Sequence, residues 1–136
     1  MRLTKSIPAL PVQDIARAVV FYRDKLGFSL VVQEEGFARL VRDDVLIDLW
    51  AACDESWKNR PSAVSTAPIV TGAESFLAGT ASCRIEVQAI DELYAENKES
   101  GVLYAPDTTV KAQPWGDREF PALDLERNLL TFFERK

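Results

Sequence analysis

Histidine is absent from all 136 residues. That removes the commonest protein ligand of transition metals and the usual base for a serine or cysteine nucleophile. GxSxG, P-loop and dinucleotide fingerprints are missing as well, so those enzyme classes have no support in the sequence. No apolar run approaches the ~20 residues that a membrane-spanning helix needs. No basic stripe offsets a formal charge of −5, and phosphate-tracking surfaces require one. Neither a membrane nor a nucleic acid is an expected partner. Met1-Arg2-Leu3-Thr4-Lys5 leads into a strand-like segment without the apolar core of an export signal, so a cytoplasmic location is expected. Only two cysteines occur, Cys53 and Cys83, outside any CxxC spacing. Cys83 reads as a small core residue, and whether the two are bridged is left open.

What is present has the balance of a globular domain: 47% hydrophobic and 27% charged residues. The length fits one domain over 1–136. Ser6 to Val12 reads as a strand, but Pro8 and Pro11 remove two ladder donors, which confines it to an edge or to an exchanged arm. A helix follows, capped by Asp14, with Ile15, Val19, Tyr22 and Leu26 on one face. Gly27 stops it, and Phe28 packs back as the chain leaves. Strands are expected at Phe28 to Glu34, Phe37 to Arg42 and Val45 to Trp50, with Asp43-Asp44 as a tight turn.

The second half repeats this order. Cys83 to Gln88 reads as a strand and Ile90 to Ser100 as a helix with Leu93 and Tyr94 inward, closed by Gly101. Strand-like pieces follow at Val102 to Tyr104, Glu119 to Asp124 and Leu129 to Glu134, the last after a turn at Glu126-Arg127-Asn128. Val12-Gln13-Asp14-Ile15 aligns with Val87-Gln88-Ala89-Ile90, and Leu46 to Trp50 aligns with Leu129 to Phe133. The expected architecture is α+β: two tandem βαβββ modules, 1–53 and 81–136. The joining loop, 54–80, is long for a connection and carries Trp57, Ile69, Val70, Phe76 and Leu77.

Paired βαβββ modules resemble the vicinal oxygen chelate superfamily of glyoxalases, extradiol dioxygenases, fosfomycin-resistance enzymes and bleomycin-resistance proteins. Within it, Gln113-Pro114-Trp115-Gly116, the following Arg118-Glu119-Phe120 and the closing Asp124-x-x-x-Asn128 pattern are similar to the bleomycin-resistance proteins. The resemblance implies a homodimer with exchanged N-terminal strands, Pro8 and Pro11 lying in the arm, and grooves lined by both subunits. It implies sequestration of a cationic, bleomycin-like glycopeptide antibiotic without catalysis and without a cofactor. Two alternatives stay open: a metal-dependent enzyme of the same superfamily, glyoxalase-like or dioxygenase-like, and an orphan small-molecule binding module. Matching the strands puts Ile7, Asp48, Ser82 and Thr131 at the metal stations of the enzyme members. One carboxylate does not make a catalytic site that uses about three protein ligands.

The resemblance also places ligand-binding residues. Phe37 and Trp115 match aromatic positions that border the groove, and Gly116 and Arg118 belong to the Trp115 motif. By strand alternation Leu46, Asp48 and Trp50 share one face. Asp48 beside Trp50 is a plausible receptor for a cation or amine, with the competing reading that it pairs with Arg39 or Arg84. Arg84 shares its strand face with Glu86, where relatives can carry aromatic side chains.

Overall fold

Asp14 is extended (φ −127°, ψ 105°), and its carboxylate accepts the Arg17 N–H at 3.0 Å, which satisfies one of the donors that a helix start leaves free. The helix it opens, α1 (Ile15–Leu26), turns Ile15, Ala18, Val19, Tyr22 and Leu26 inward. Gly27 ends it in the left-handed region at φ 75°, and the Phe28 N–H returns to the Tyr22 carbonyl at 3.0 Å. Phe28 then packs edge-on against Tyr22, ring centroids 5.6 Å apart. Arg42 lies over this helix end and donates to the Leu26 carbonyl at 2.8 Å. The left-handed backbone favours glycine here, and a Cβ would sit 2.9 Å from the same Arg42 nitrogen, so any other residue would also have to displace that guanidinium.

The computed structural model describes residues 1–52 and 77–136. Expectations for Cys53, Trp57, Ile69, Val70 and Phe76 lie outside the described residues. The first module comprises β1 (Ala9–Val12), α1, β2 (Ser29–Gln33), β3 (Phe37–Arg42) and β4 (Val45–Ala51). The second comprises β5 (Ser82–Glu86), α2 (Ile90–Ser100), β6 (Lys111–Ala112), β7 (Arg118–Leu123) and β8 (Leu129–Glu134). Each forms a four-stranded sheet, in the orders β1-β4-β3-β2 and β5-β8-β7-β6. The first and last strands of each module pair parallel and the rest antiparallel. The two modules therefore share one topology.

The prolines of β1 explain its length and place. The carbonyls of Pro8 and Val12 accept from the N–H groups of Asp48 on β4 and of Ala52 just after it, so the backbone groups of even-numbered residues point toward that neighbour. Pro8 offers no donor in return, and the strand begins at Ala9, later than the expected Ser6. Pro11 has the opposite phase, and its missing N–H faces the open edge. β1 thus takes the expected edge position, against β4 of its own chain. The expected strand at Val102 to Tyr104 is only partly realised. Leu123 donates to Val102 and Tyr104 to Pro121, but the segment counts as a single bridge, Leu103 to Ala122. Pro106 follows, the chain leaves the sheet, and the edge resumes as the two-residue β6.

Helix α2 shows where the duplication has drifted. Ala89 stands where Asp14 stands in the first module, but it has φ 61° and no side-chain cap; its N–H is taken by Glu134 at 2.7 Å. A left-handed alanine carries roughly 1–2 kcal/mol of strain. Ala89→Gly is therefore expected to raise stability by up to about 1 kcal/mol, after the entropy glycine adds to the unfolded chain. A urea midpoint below that of the parent would show that Ala89 is not strained.

One core joins the modules. Leu40, Ile47, Leu49, Tyr22, Ile90, Phe120 and Leu130 are all fully buried within it. Each such aliphatic side chain contributes roughly 1.5–3 kcal/mol. A polar network crosses the same junction. Asp124 Oδ2 accepts from Tyr22 Oη at 2.8 Å and Asn128 Nδ2 at 3.0 Å, while its Oδ1 accepts the N–H groups of Glu126 (3.0 Å) and Asn128 (2.8 Å). Asn128 Nδ2 also donates to the Pro11 carbonyl at 2.9 Å, filling part of the open edge of β1. Outside the core, Arg42 ties β3 to α2 by holding Glu96 at 2.7 and 3.1 Å.

Candidate functional site

Alternation divides each sheet into a face that packs on its helix and an open face. In the first sheet Ala38, Leu40, Ile47 and Leu49 are wholly buried on the helix side. Their neighbours pair across the other side: Phe37 opposite Trp50, Arg39 opposite Asp48, Val41 opposite Leu46. The open face therefore collects Leu46, Asp48 and Trp50, as alternation implied, and the register adds Phe37 to them. Phe37 and Trp50 pack at a tilt of 60° with centroids 4.7 Å apart. Of the two arginines considered as partners for Asp48, Arg39 is the one that holds it. Its Nε and Nη2 reach the two carboxylate oxygens at 2.7 and 3.0 Å, and its guanidinium lies 5.8 Å from the Phe37 ring centre. This fork geometry is the strongest form of ion pair. Asp48 is only 8% exposed, so its charge is already spoken for.

In the second sheet Ile85, Phe120, Ala122, Leu130 and Phe132 pack on the helix side. The open face carries Ser82, Arg84, Glu119, Thr131 and Phe133 by the same register. Arg84 donates to Glu119 at 2.7 Å, lies 3.8 Å from Asp117, and stacks its guanidinium over Phe133 at 4.8 Å. Trp115, 65% exposed, donates its indole N–H to the same Asp117 at 3.2 Å. Gly116, beside it, has φ 102° and allows the turn that presents the ring. Arg84, Trp115 and Gly116 thus come together.

Arg118 does not join them. It is one residue out of phase with Glu119, so it points to the helix side and holds Asp91 of α2 at 2.9 and 3.0 Å. Asp91 is held below the usual carboxylate range by that partner. The expectation that Arg118 lines the groove is corrected by this phase. Sequence reasoning also missed Asp117, Glu119 and Phe133. Their shared face with Arg84 depends on the parallel pairing of β5 with β8, which no local pattern announces.

The metal stations are a poor fit to a metal ion. Asp48, Ser82 and Thr131 lie on open faces, and Ile7 stands just before β1, but only Asp48 is a strong ligand. Among the described residues no group of three or more His, Cys, Asp or Glu side chains could hold a metal ion. Cys83 faces the helix side, where burial and then the nearby Asp124 push its thiol up to about 11, leaving it protonated and unreactive at neutral pH.

A separate cavity of about 800 Å³ lies on the helix side, between the β3–β4 turn and α2. Phe28, Ile85, Leu93 and Phe132 floor it, and Asp43, Asp44 and Glu92 stand at its rim. None of the open-face residues Phe37, Trp50 or Trp115 lines it, so volume alone does not locate the candidate site.

Comparison with known proteins bears on these faces. The family described as bleomycin resistance protein-like N-terminal matches residues 7–41, which span β1, α1, β2 and most of β3. Among solved structures, the bleomycin-binding protein of bleomycin-producing Streptomyces verticillus, complexed with copper(II)-bleomycin, superposes with a TM-score of 0.73. It shares 22% identity over 100% of this chain and 99% of that one. The bleomycin resistance determinant encoded on transposon Tn5 gives a TM-score of 0.70 at 22% identity, over 98% of this chain and 99% of that one. These establish the fold. The bleomycin resistance protein of Geobacillus stearothermophilus is 52% identical over 133 residues, which is 98% of either chain. With that identity over nearly its whole length, the chain belongs to the bleomycin resistance protein family.

Proposed function

We propose that this chain binds a cationic, bleomycin-like glycopeptide antibiotic in the cytoplasm and protects by sequestration, without catalysis. The observation that carries this reading is Trp115: a large indole, mostly exposed, tethered by Asp117 beside the Arg84–Glu119–Phe133 cluster. An indole left in water gains nothing for folding, and aromatic side chains so placed suit stacking on a flat heteroaromatic ligand. The family membership and the bleomycin carried by a structural neighbour support the same ligand class.

The two open faces suggest how the groove forms. Among the described residues no hydrogen bond or ion pair joins the Asp48 cluster to the Arg84 cluster. Each face uncovers aromatic surface that a twofold partner can cover, the first sheet of one subunit meeting the second sheet of the other. Met1 to Ser6 is exposed ahead of β1, with Pro8 and Pro11 behind it, and serves as the arm that reaches across. Residues 1–136 then act as one binding unit whose grooves exist only in the dimer.

Sedimentation at micromolar concentration should give twice the 15.2 kDa chain mass. Calorimetric titration with metal-free bleomycin should give micromolar or tighter affinity, about −8 kcal/mol or better, and exhaustive chelation should leave it unchanged. Absence of binding sinks the ligand. A monomer that binds fully sinks the shared groove.

A further inference from the structure

The two open faces carry the same device with unequal charge. On the first sheet Arg39 meets one carboxylate and takes both oxygens of Asp48, at 2.7 and 3.0 Å. On the second, Arg84 meets two: Glu119 at 2.7 Å and Asp117 at 3.8 Å, the latter also accepting from Trp115. A cation approaching the first face finds a neutral pair with both carboxylate oxygens engaged. At the second face it finds a surplus carboxylate next to an exposed indole, a combination of charge and π surface that attracts cations.

We propose that Arg39 is an internal counter-cation that withdraws Asp48 from ligand recognition. The ligand's positive charge is then read at Asp117, and the Phe37–Trp50 pair acts as an uncharged stacking platform. This rests on the open faces being the ligand site, and it changes the role of Asp48 from cation receptor to anchor of Arg39. Arg39 becomes a specificity-determining residue: its loss exposes a second carboxylate to the ligand.

The charge balance at Trp50 can be measured without any antibiotic. In a Trp57→Phe/Trp115→Phe background, Trp50 fluorescence is quenched with caesium ion and, separately, with uncharged acrylamide, which reports access alone. Arg39→Gln should raise the caesium-to-acrylamide ratio roughly two- to fourfold at low salt, and Asp48→Asn should lower it. The double variant should return to the background ratio, and Arg39→Lys, which keeps the charge, should stay near it. A ratio unmoved by Arg39→Gln, or moved the same way by both single changes, overturns the proposal. Titration of the protein with all its tryptophans decides the ligand separately. There Asp117→Asn should weaken bleomycin binding roughly three- to sevenfold at low salt, and Arg39→Gln should tighten it. Loss of affinity in Asp48→Asn with none in Asp117→Asn overturns the charge assignment while leaving the function intact. The expected quenching pattern together with no bleomycin binding by the protein that keeps all its tryptophans upholds the charge assignment and removes the proposed ligand.

Discussion

Asp124→Ala is expected to lower the free energy of unfolding by about 3–5 kcal/mol, because several buried donors are left without an acceptor at about 1–3 kcal/mol each, partly relieved by relaxation. Four donors lose their acceptor at once: Tyr22 Oη, Asn128 Nδ2 and the N–H groups of Glu126 and Asn128. The carboxylate is 4% exposed, so water does not readily replace it. The loss also reaches between the modules, because Tyr22 lies on α1 and Asn128 holds the Pro11 carbonyl of β1. A graded series isolates the cause. Tyr22→Phe removes one hydroxyl and should cost about 1.5–3 kcal/mol, as for a bond to a charged group. Asp124→Asn keeps the oxygen that serves the two backbone donors, but it sets an amide NH₂ against Asn128 Nδ2, so it should fall between the other two. Urea melts at one fixed protomer concentration would measure the series, since a dimer's stability depends on concentration. Equal midpoints for Tyr22→Phe and Asp124→Ala would show that the network is not the source.

The same residue sets a pH signature. Burial raises the Asp124 pKa, and the hydrogen bonds from Asn128, Tyr22 and the turn backbone only partly offset it. The folded state therefore holds this proton to higher pH than the unfolded chain does. As pH rises from the ordinary carboxylate range through the raised folded value, Asp124 subtracts from stability, and above that window its effect is constant. In Asp124→Asn that downward component should vanish from the stability profile.

Much of this fold could be read along the chain because the signals were local. Asp14 and Gly27 bracket α1, Asp43-Asp44 closes a hairpin, and β3, α2 and β8 occupy the residues that their apolar periodicity indicated. The internal duplication was legible from the same order of elements, and the two sheets confirm it with one strand order. The failures were non-local. The β1 start depended on which way Pro8 faces its neighbour. The split between Leu103 and β6 depended on a pairing with β7 that Pro106 interrupts. Simple alternation put Asp48 and Trp50 on one face, as the strand register has them, but Arg118 was grouped with Trp115 because its motif was followed where its strand phase should have been. One residue of phase sends Glu119 to the open face and Arg118 to Asp91.

Trp115→Ala should separate binding from folding more sharply than any other change. The ring is 65% exposed, so truncation removes little buried area and should move the urea midpoint hardly at all, within about 0.5 kcal/mol. Affinity for bleomycin should fall by roughly ten- to thirtyfold, about 1.4–2 kcal/mol, the size of loss seen when a central interface tryptophan is truncated. Stacking is short-ranged and not a charge–charge interaction, so the loss should be nearly the same at low and high salt. Asp117→Asn should behave oppositely, its loss shrinking as salt screens the ligand's charge. It also keeps an oxygen able to accept from the Trp115 indole, 3.2 Å from the native carboxylate, so the ring stays placed while the charge is gone. A Trp115→Ala protein that binds as tightly as the parent would remove the second open face from the groove. One that binds poorly and also melts early would make the indole a structural part of the turn instead.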